Sequence, residues 1–211
     1  TIKTDNSYLY RMISSIANKI FEEVINDYHL HNNIDQPIQN PYNLNTLEHL
    51  LYLKCWIDTA QWHMEDVVRN PEIDPVEGLQ WKRRIDKSNQ ERTDVVEFID
   101  SYFLEEFKNV VPKTDAKINS ESPAWVIDRL SILALKVFHM KEETLRTDVL
   151  AEHIEACSLK LNTLLTQQTD LSLSLEELID DIKSGEKYMK VYKQMKMYND
   201  PNLNPVLYTK K

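Results

Sequence analysis

Apolar residues recur at spacings of three, four and seven along most of the chain, the period of helices that pack on one side. The first stripe is Ile13, Ile16, Ala17, Ile20, Phe21, Val24, Ile25 and Tyr28, and it predicts a helix from an N-cap at Asn6 or Ser7 to about Tyr28. Residues 29–45 are rich in Asn, Gln and Pro and read as a long ordered loop. A second helix is expected from Thr46 to Arg69, with Leu50, Leu53, Ile57, Ala60, Met64 and Val67 as its seam and Leu47, Leu51 and Trp62 at its flank. Between those two groups fall Lys54, Asp58, Gln61, Glu65 and Arg69, an odd place for solvent-facing residues. Ion pairs at i,i+4, Lys54–Asp58 and Glu65–Arg69, are the plain explanation.

The third helix opens at Asp74-Pro75, an N-cap followed by proline at the first helical position, and runs to about Lys108. Its stripe is Trp81, Ile85, Val96, Ile99 and Phe103, with Asn89 at the border and Arg92 at the centre. After a loop at 109–122, Ser122-Pro123 begins a fourth helix by the same device. That helix is apolar nearly all round from Trp125 to Met140 and is expected at the centre of the fold. One polar line breaks it: Arg129, Lys136 and His139 with Glu143, and Asp128 beside them. Leu150, Ile154, Cys157, Leu161, Leu164 and Leu165 carry the pattern onward, either continuous with the fourth helix or after a bend near residues 144–147. The Ser174 to Glu177 run has the form of a capping box and predicts a further helix start, ending at Gly185 or passing it toward Tyr198. Residues 199–211 read as a strap. The expected fold is all-α: one domain, a single bundle of five or six mostly antiparallel helices with a central apolar helix at about 123–144.

Composition narrows the functional classes. Two glycines against eight prolines argue against glycine-rich phosphate loops and dinucleotide folds. A net charge of −9 speaks against a nucleic-acid partner and gives no attraction to an anionic membrane. No apolar run reaches the length of a membrane span. The first residues lack the apolar core of a signal peptide, while a start at Thr1 leaves a removed leader open. Cys55 and Cys157, each alone within a helical pattern, are read as buried free thiols in a reducing cytoplasm.

Arg92 poses the chemical question, because an unpaired charge inside an apolar seam costs several kcal/mol or more. A short connection makes the second and third helices antiparallel. Glu65 then falls near Arg84, Ile85 and Asn89, and Arg92 lies about two turns on, toward Asp58 or Gln61. Two accounts follow. In the first, Arg92 is held by Asp58 or Glu65 in a satisfied network completed by Asn89. In the second, carboxylates on one wall face Arg129, Lys136 and His139 on another, forming a pocket for a small anionic or sugar-phosphate ligand, alone or with Mg²⁺. The candidate ligand-binding residues are Glu65, Asp66, Asp86, Asn89, Gln90, Arg92, Asp94, Arg129, Lys136 and His139. The alternative function is a non-catalytic interaction module whose partner uses the 29–45 loop or the 186–211 tail. Metal-site signatures are missing: none of the six histidines has a Glu three residues before it, and there is no Cys-x-x-Cys or His-Glu-x-x-His. His29 and His31 read as lone loop histidines, and His63 and Lys82 fall off the apolar seams, where solvation is expected.

Three resemblances add to this. The pattern Trp62-His63-x-Glu65-Asp66, Lys82, Ile85-Asp86-x-x-Asn89-Gln90-x-Arg92-x-Asp94 and Glu97-x-x-Asp100 resembles a bacterial family known only as a domain of unknown function, over about residues 45–165. The resemblance implies an all-helical domain without an assigned activity, and a setting near surface-polysaccharide glycosyltransferases that points to sugars or nucleotide sugars. Glu97-x-x-Asp100 is similar to half of the Mg²⁺ site of the all-α MazG-type nucleotide pyrophosphatases, but adjacent Glu65-Asp66 stands where their other motif would be. Arg84-Ile85-Asp86 resembles the opening run of helical chorismate mutases, although here it lies mid-chain.

Overall fold

The computed structural model describes residues 12–192, 197 and 200–209. Helices α1 (Ile13–His29), α2 (Leu47–Val68), α3 (Pro75–Glu106), α4 (Pro123–Thr144) and α5 (Ala151–Lys183) form the bundle, joined by strands β1 (Lys117–Ile118) and β2 (Lys187–Tyr188) and a single helical turn α6 (Pro205–Tyr208). The starts of α2 and α3 follow from their caps. Thr46 Oγ1 accepts from the His49 N–H at 3.2 Å, and Asp74 Oδ1 accepts from the Val76 and Glu77 N–H groups at 3.0 Å each. The N-cap foreseen at Asn6 or Ser7 lies outside the described residues.

Helix α4 packs against α1, α2, α3 and α5, as expected of a central element, and buries Ala124, Ile127, Leu130 and Leu135. Helix α2 is just as enclosed, since from Leu51 to Ala60 every residue except Leu53 is buried. Together with Phe21, Val24 and Tyr28 of α1 and Val96, Ile99 and Phe103 of α3, these side chains form one contiguous core.

Three expectations need correction. The chain does break between α4 and α5, but Ser174 starts no helix: α5 runs unbroken for 33 residues. Leu171, Leu175, Leu178, Ile179 and Ile182 keep one apolar face on the core through that point, while Ser174 and Glu177 stay exposed. A Ser and a Glu three apart fit the solvent side of a continuing helix as well as they fit a cap. The loop before α4 carries β1, which pairs in parallel with β2 through Lys117↔Lys187 and Ile118↔Tyr188. Gly185, at φ +75°, turns the chain out of α5 into that pairing, and a Cβ there would stand 2.9 Å from the Val111 carbonyl oxygen. The strap is not extended throughout, because Asn204 caps the α6 turn.

Candidate functional site

Steps of four and three residues place Lys54, Asp58, Gln61, Glu65 and Arg69 on one line of α2. The line descends from the surface into the core: the Arg69 side chain is 67% exposed, and that of Lys54 is 0% exposed. With α1, α3 and α4 packed around it, the Lys54 ammonium cannot reach water and is held by carboxylates instead. It pairs with Asp58 one turn on, and lies 3.0 Å from Asp128 Oδ1 of α4. From α3, Arg92 places Nε 3.2 Å from Asp58 Oδ1 and Nη2 2.7 Å from Asp128 Oδ2. Ser131, one turn beyond Asp128, donates its hydroxyl to Asp58 Oδ2 at 2.5 Å. Two cations thus meet two anions, which offsets the desolvation of all four. Burial pushes the Asp58 carboxyl up, the Lys54 ammonium beside it pulls it down, and Asp128 pushes it up again.

Of the two partners anticipated for Arg92, Asp58 is found there, whereas Glu65 pairs with Arg69 at 2.8 Å. Asp128 supplies the second carboxylate, and Lys54 and Ser131 complete the cluster. The i,i+4 pair of Lys54 with Asp58 is the one the sequence predicts; the signal for Asp128 and Ser131 was undirected, two polar residues sharing one face of α4 at i,i+3.

Arg92 is 25% exposed, and its outer edge forms part of a cleft of about 430 Å³. Asp58, Gln61, Trp62, Glu65, Asp66, Arg69, Ile132 and Leu135 make up the rest of the lining. Gln61 is fixed from behind by α3, where Ser88 Oγ donates to its Oε1 at 3.1 Å and its Nε2 donates to Asn89 Oδ1 at 3.0 Å. Asn89 therefore orients a lining residue rather than lining the cleft itself.

Other predicted site residues lie elsewhere. Asp86 pairs with Lys82, and Gln90 donates to Asp94 at 2.7 Å; both are i,i+4 pairs on the outer face of α3. Arg129 pairs with Glu121 at 2.9 Å on the surface. Lys136 and His139 line a separate groove toward α5 with Met140, Glu143 and Lys160. The cationic wall expected of α4 does not face the carboxylates, because 128, 131, 132 and 135 share the face toward the cleft and 129 and 136 are turned about 100° away. Arg84 leaves the cleft as well, stacking over Trp81 at 4.3 Å and pairing with Asp35 at 2.5 Å.

His139 has moved into different company. Its ring stacks on Trp62 at 4.8 Å and lies near His29 and His63, both half-buried rather than solvated. Burial, followed by the two neighbouring imidazoles, holds His63 below the ordinary histidine value. Among the described residues, the groups of three ligating side chains are His29/His63/His139 and Glu143/His153/Cys157, so Glu97 and Asp100 form no carboxylate site with Glu65 and Asp66.

Asp100 is instead buried near Ser122, and burial pushes its carboxyl up to about 6, with Ser122 pulling the other way. A carboxyl that binds its proton more tightly when folded adds stability below about pH 4, and that contribution is lost as the pH rises through about 6. Asp100→Asn is expected to melt a few degrees above the parent at pH 7–8 and to converge with it near pH 4, checked by thermal melts across that range.

Among the described residues, no helix is long and apolar enough to cross a membrane. The family model described as Protein of unknown function (DUF4254) matches residues 48–191, a span that contains the whole charged cluster and the cleft. No curated protein and no solved structure matched the chain.

Proposed function

We propose, for a chain that belongs to the DUF4254 family of proteins of unknown function, that the cleft between α2, α3 and α4 binds a small polar ligand of the sugar or sugar-phosphate class. The observation that carries this reading is the position of Arg92, clamped by two buried carboxylates yet open on one edge to the cleft. A network serving packing alone has no need of an open side.

The lining favours hydroxyl groups over a bare anion. Asp58, Glu65 and Asp66 stand against Arg69 and Arg92, so the walls carry no cationic excess. Ionised side chains make charge-assisted hydrogen bonds to hydroxyls, and Trp62 adds an apolar surface. A phosphate on such a ligand would fall to Arg69, whose guanidinium is at the rim in an exposed pair with Glu65, rather than to Arg92, which two buried carboxylates hold. The two free thiols, Cys55 and Cys157, support a reducing cytoplasm as the setting.

The exact charge balance of the Lys54–Asp58–Arg92–Asp128 cluster favours a second reading, a non-catalytic interaction module whose polar core only fixes helix register. Thermal melting of the full chain with monosaccharides, sugar phosphates and nucleotide sugars, each with and without Mg²⁺, separates the two. Under the ligand reading, at least one class raises Tm by several degrees at a hundredfold excess over Kd. Glu65→Ala and Arg69→Ala, at the exposed rim, should abolish that rise while leaving the unliganded Tm nearly unchanged. If no compound moves the parent's Tm, the ligand reading fails and the structural network stands.

A further inference from the structure

Three imidazoles from three helices converge beside one another, one of them stacked on Trp62. His29 is the last residue of α1, His63 lies one position beyond Trp62 on α2, and His139 stands near the end of α4. Their ring centroids are 5.2 Å (29–63), 5.4 Å (29–139) and 5.7 Å (63–139) apart. One ligating nitrogen from each lies within 4.8 Å of the other two. His29 Nε2 and His63 Nε2 are 3.2 Å apart. Two nitrogens bound tetrahedrally at about 2.0–2.1 Å from one ion stand roughly 3.3 Å apart, so this pair is already at ligating separation.

The far sides of two of the rings are fixed. His29 Nδ1–H donates to the Ile25 carbonyl at 2.6 Å, and His139 Nδ1–H donates to Glu142 Oε2 at 2.8 Å. A hydrogen bond at Nδ1 to a backbone carbonyl or a carboxylate selects the tautomer with its lone pair on Nε2, the arrangement that accompanies histidine ligation. His139 Nε2 is buried and has no hydrogen-bond partner among the described residues. Ordinary packing of neutral histidines accounts for the His63–His29 contact, with one ring donating to the other, but leaves that third lone pair unmet.

We propose that His29, His63 and His139 bind one divalent transition-metal ion of the zinc type through three neutral imidazole nitrogens. Nitrogen ligands of this kind suit Zn²⁺, Co²⁺, Ni²⁺ or Cu²⁺ rather than Mg²⁺ or Ca²⁺. Three protein ligands leave a coordination position for a water molecule or a ligand oxygen. His139 also lines the groove toward α5, which places the edge of the cluster next to open space. Tyr28, Phe138 and Trp62 pack against the rings of His63, His29 and His139 respectively. This site does not depend on the cleft binding a sugar.

The test uses the full chain stripped with a chelator and titrated with Zn²⁺ by calorimetry and with Co²⁺ by visible absorption. One equivalent of each should bind, and Co²⁺ should give the intense bands of a four-coordinate ion. His63→Ala and His139→Gln should each weaken binding roughly 100-fold or more. Glu142→Gln, which acts on His139 as a positioning residue, should weaken it about 10–100-fold. His153→Ala, in the other group of ligating side chains, should leave it unchanged. Circular dichroism of each variant separates lost ligation from lost folding, and the Co²⁺ spectrum of the parent needs no variant at all. Failure of the parent to bind one equivalent of either ion overturns the proposal, as does binding that survives both histidine substitutions or depends on His153.

Discussion

Asp58→Ala is expected to destabilise the folded chain by about 3–5 kcal/mol, the range for removing one partner from a buried ion pair. For a chain of this size that lowers Tm by on the order of 10 °C. The substitution takes away the carboxylate shared by Lys54 and Arg92 and leaves the Ser131 hydroxyl without its acceptor. Lys54, fully buried, then has only Asp128 to balance it, and Asp128 must also serve Arg92. The double substitution Lys54→Met with Asp58→Leu removes one charge of each sign and leaves Arg92 paired with Asp128. It should return most of the lost stability, because apolar residues can replace a buried pair at little net cost. Urea denaturation of the parent, Lys54→Met, Asp58→Leu and the double variant measures the coupling. A loss below about 1 kcal/mol for Asp58→Ala would mean that its carboxylate does not hold the two cations in the core. The same series bears on the ligand reading, because the rim variants Glu65→Ala and Arg69→Ala should be nearly neutral for folding by comparison.

Ser174→Pro should cost about 3 kcal/mol or more, since proline inside a continuous helix removes a backbone hydrogen bond and crowds the preceding turn. Were Ser174 an N-cap, with non-helical backbone, proline there would be far milder. Ser174→Ala gives a contrast of sign. Alanine in the interior of a continuous helix is neutral or slightly stabilising, whereas loss of a serine N-cap costs about 1 kcal/mol. Ser174 is exposed, so Ser174→Ala takes no side chain out of the packing of Leu175 and Leu178 on the core, and the cost of Ser174→Pro is that of the backbone. Chemical denaturation of the two variants decides between one long α5 and two shorter helices.

The five long helices were legible to differing degrees, and the reason lies in what marks an end. Thr46, Asp74-Pro75 and Ser122-Pro123 are local signals, complete within a few residues, and each stands at the start of a helix. The Ser174 run has the same letters but sits on the outer face of α5, where nothing local distinguishes a cap from a solvated turn. The parallel pairing of β1 with β2 joins residues 70 apart in sequence and has no local mark beyond the turn at Gly185.

The candidate site divides the same way. That Arg92 needed a carboxylate, and that Asp58 lay within its reach, followed from one helix period and one short connection. Asp128 could be seen as a polar residue on an apolar helix but not assigned, because its direction depends on how α4 is rotated against α2 and α3. The same rotation carried Arg129 and Lys136 away from the cleft and brought His139 to His29 and His63.

The sequence by itself determined the class of fold, most helix boundaries and the presence of charge in the core, all of which depend on periodicity and on groups a few residues apart. Only the tertiary structure decided which charges meet, where the cleft opens and that three histidines share one place. Those outcomes depend on the angles at which helices pack, which are set by the summed shape of many side chains rather than by any short run of residues.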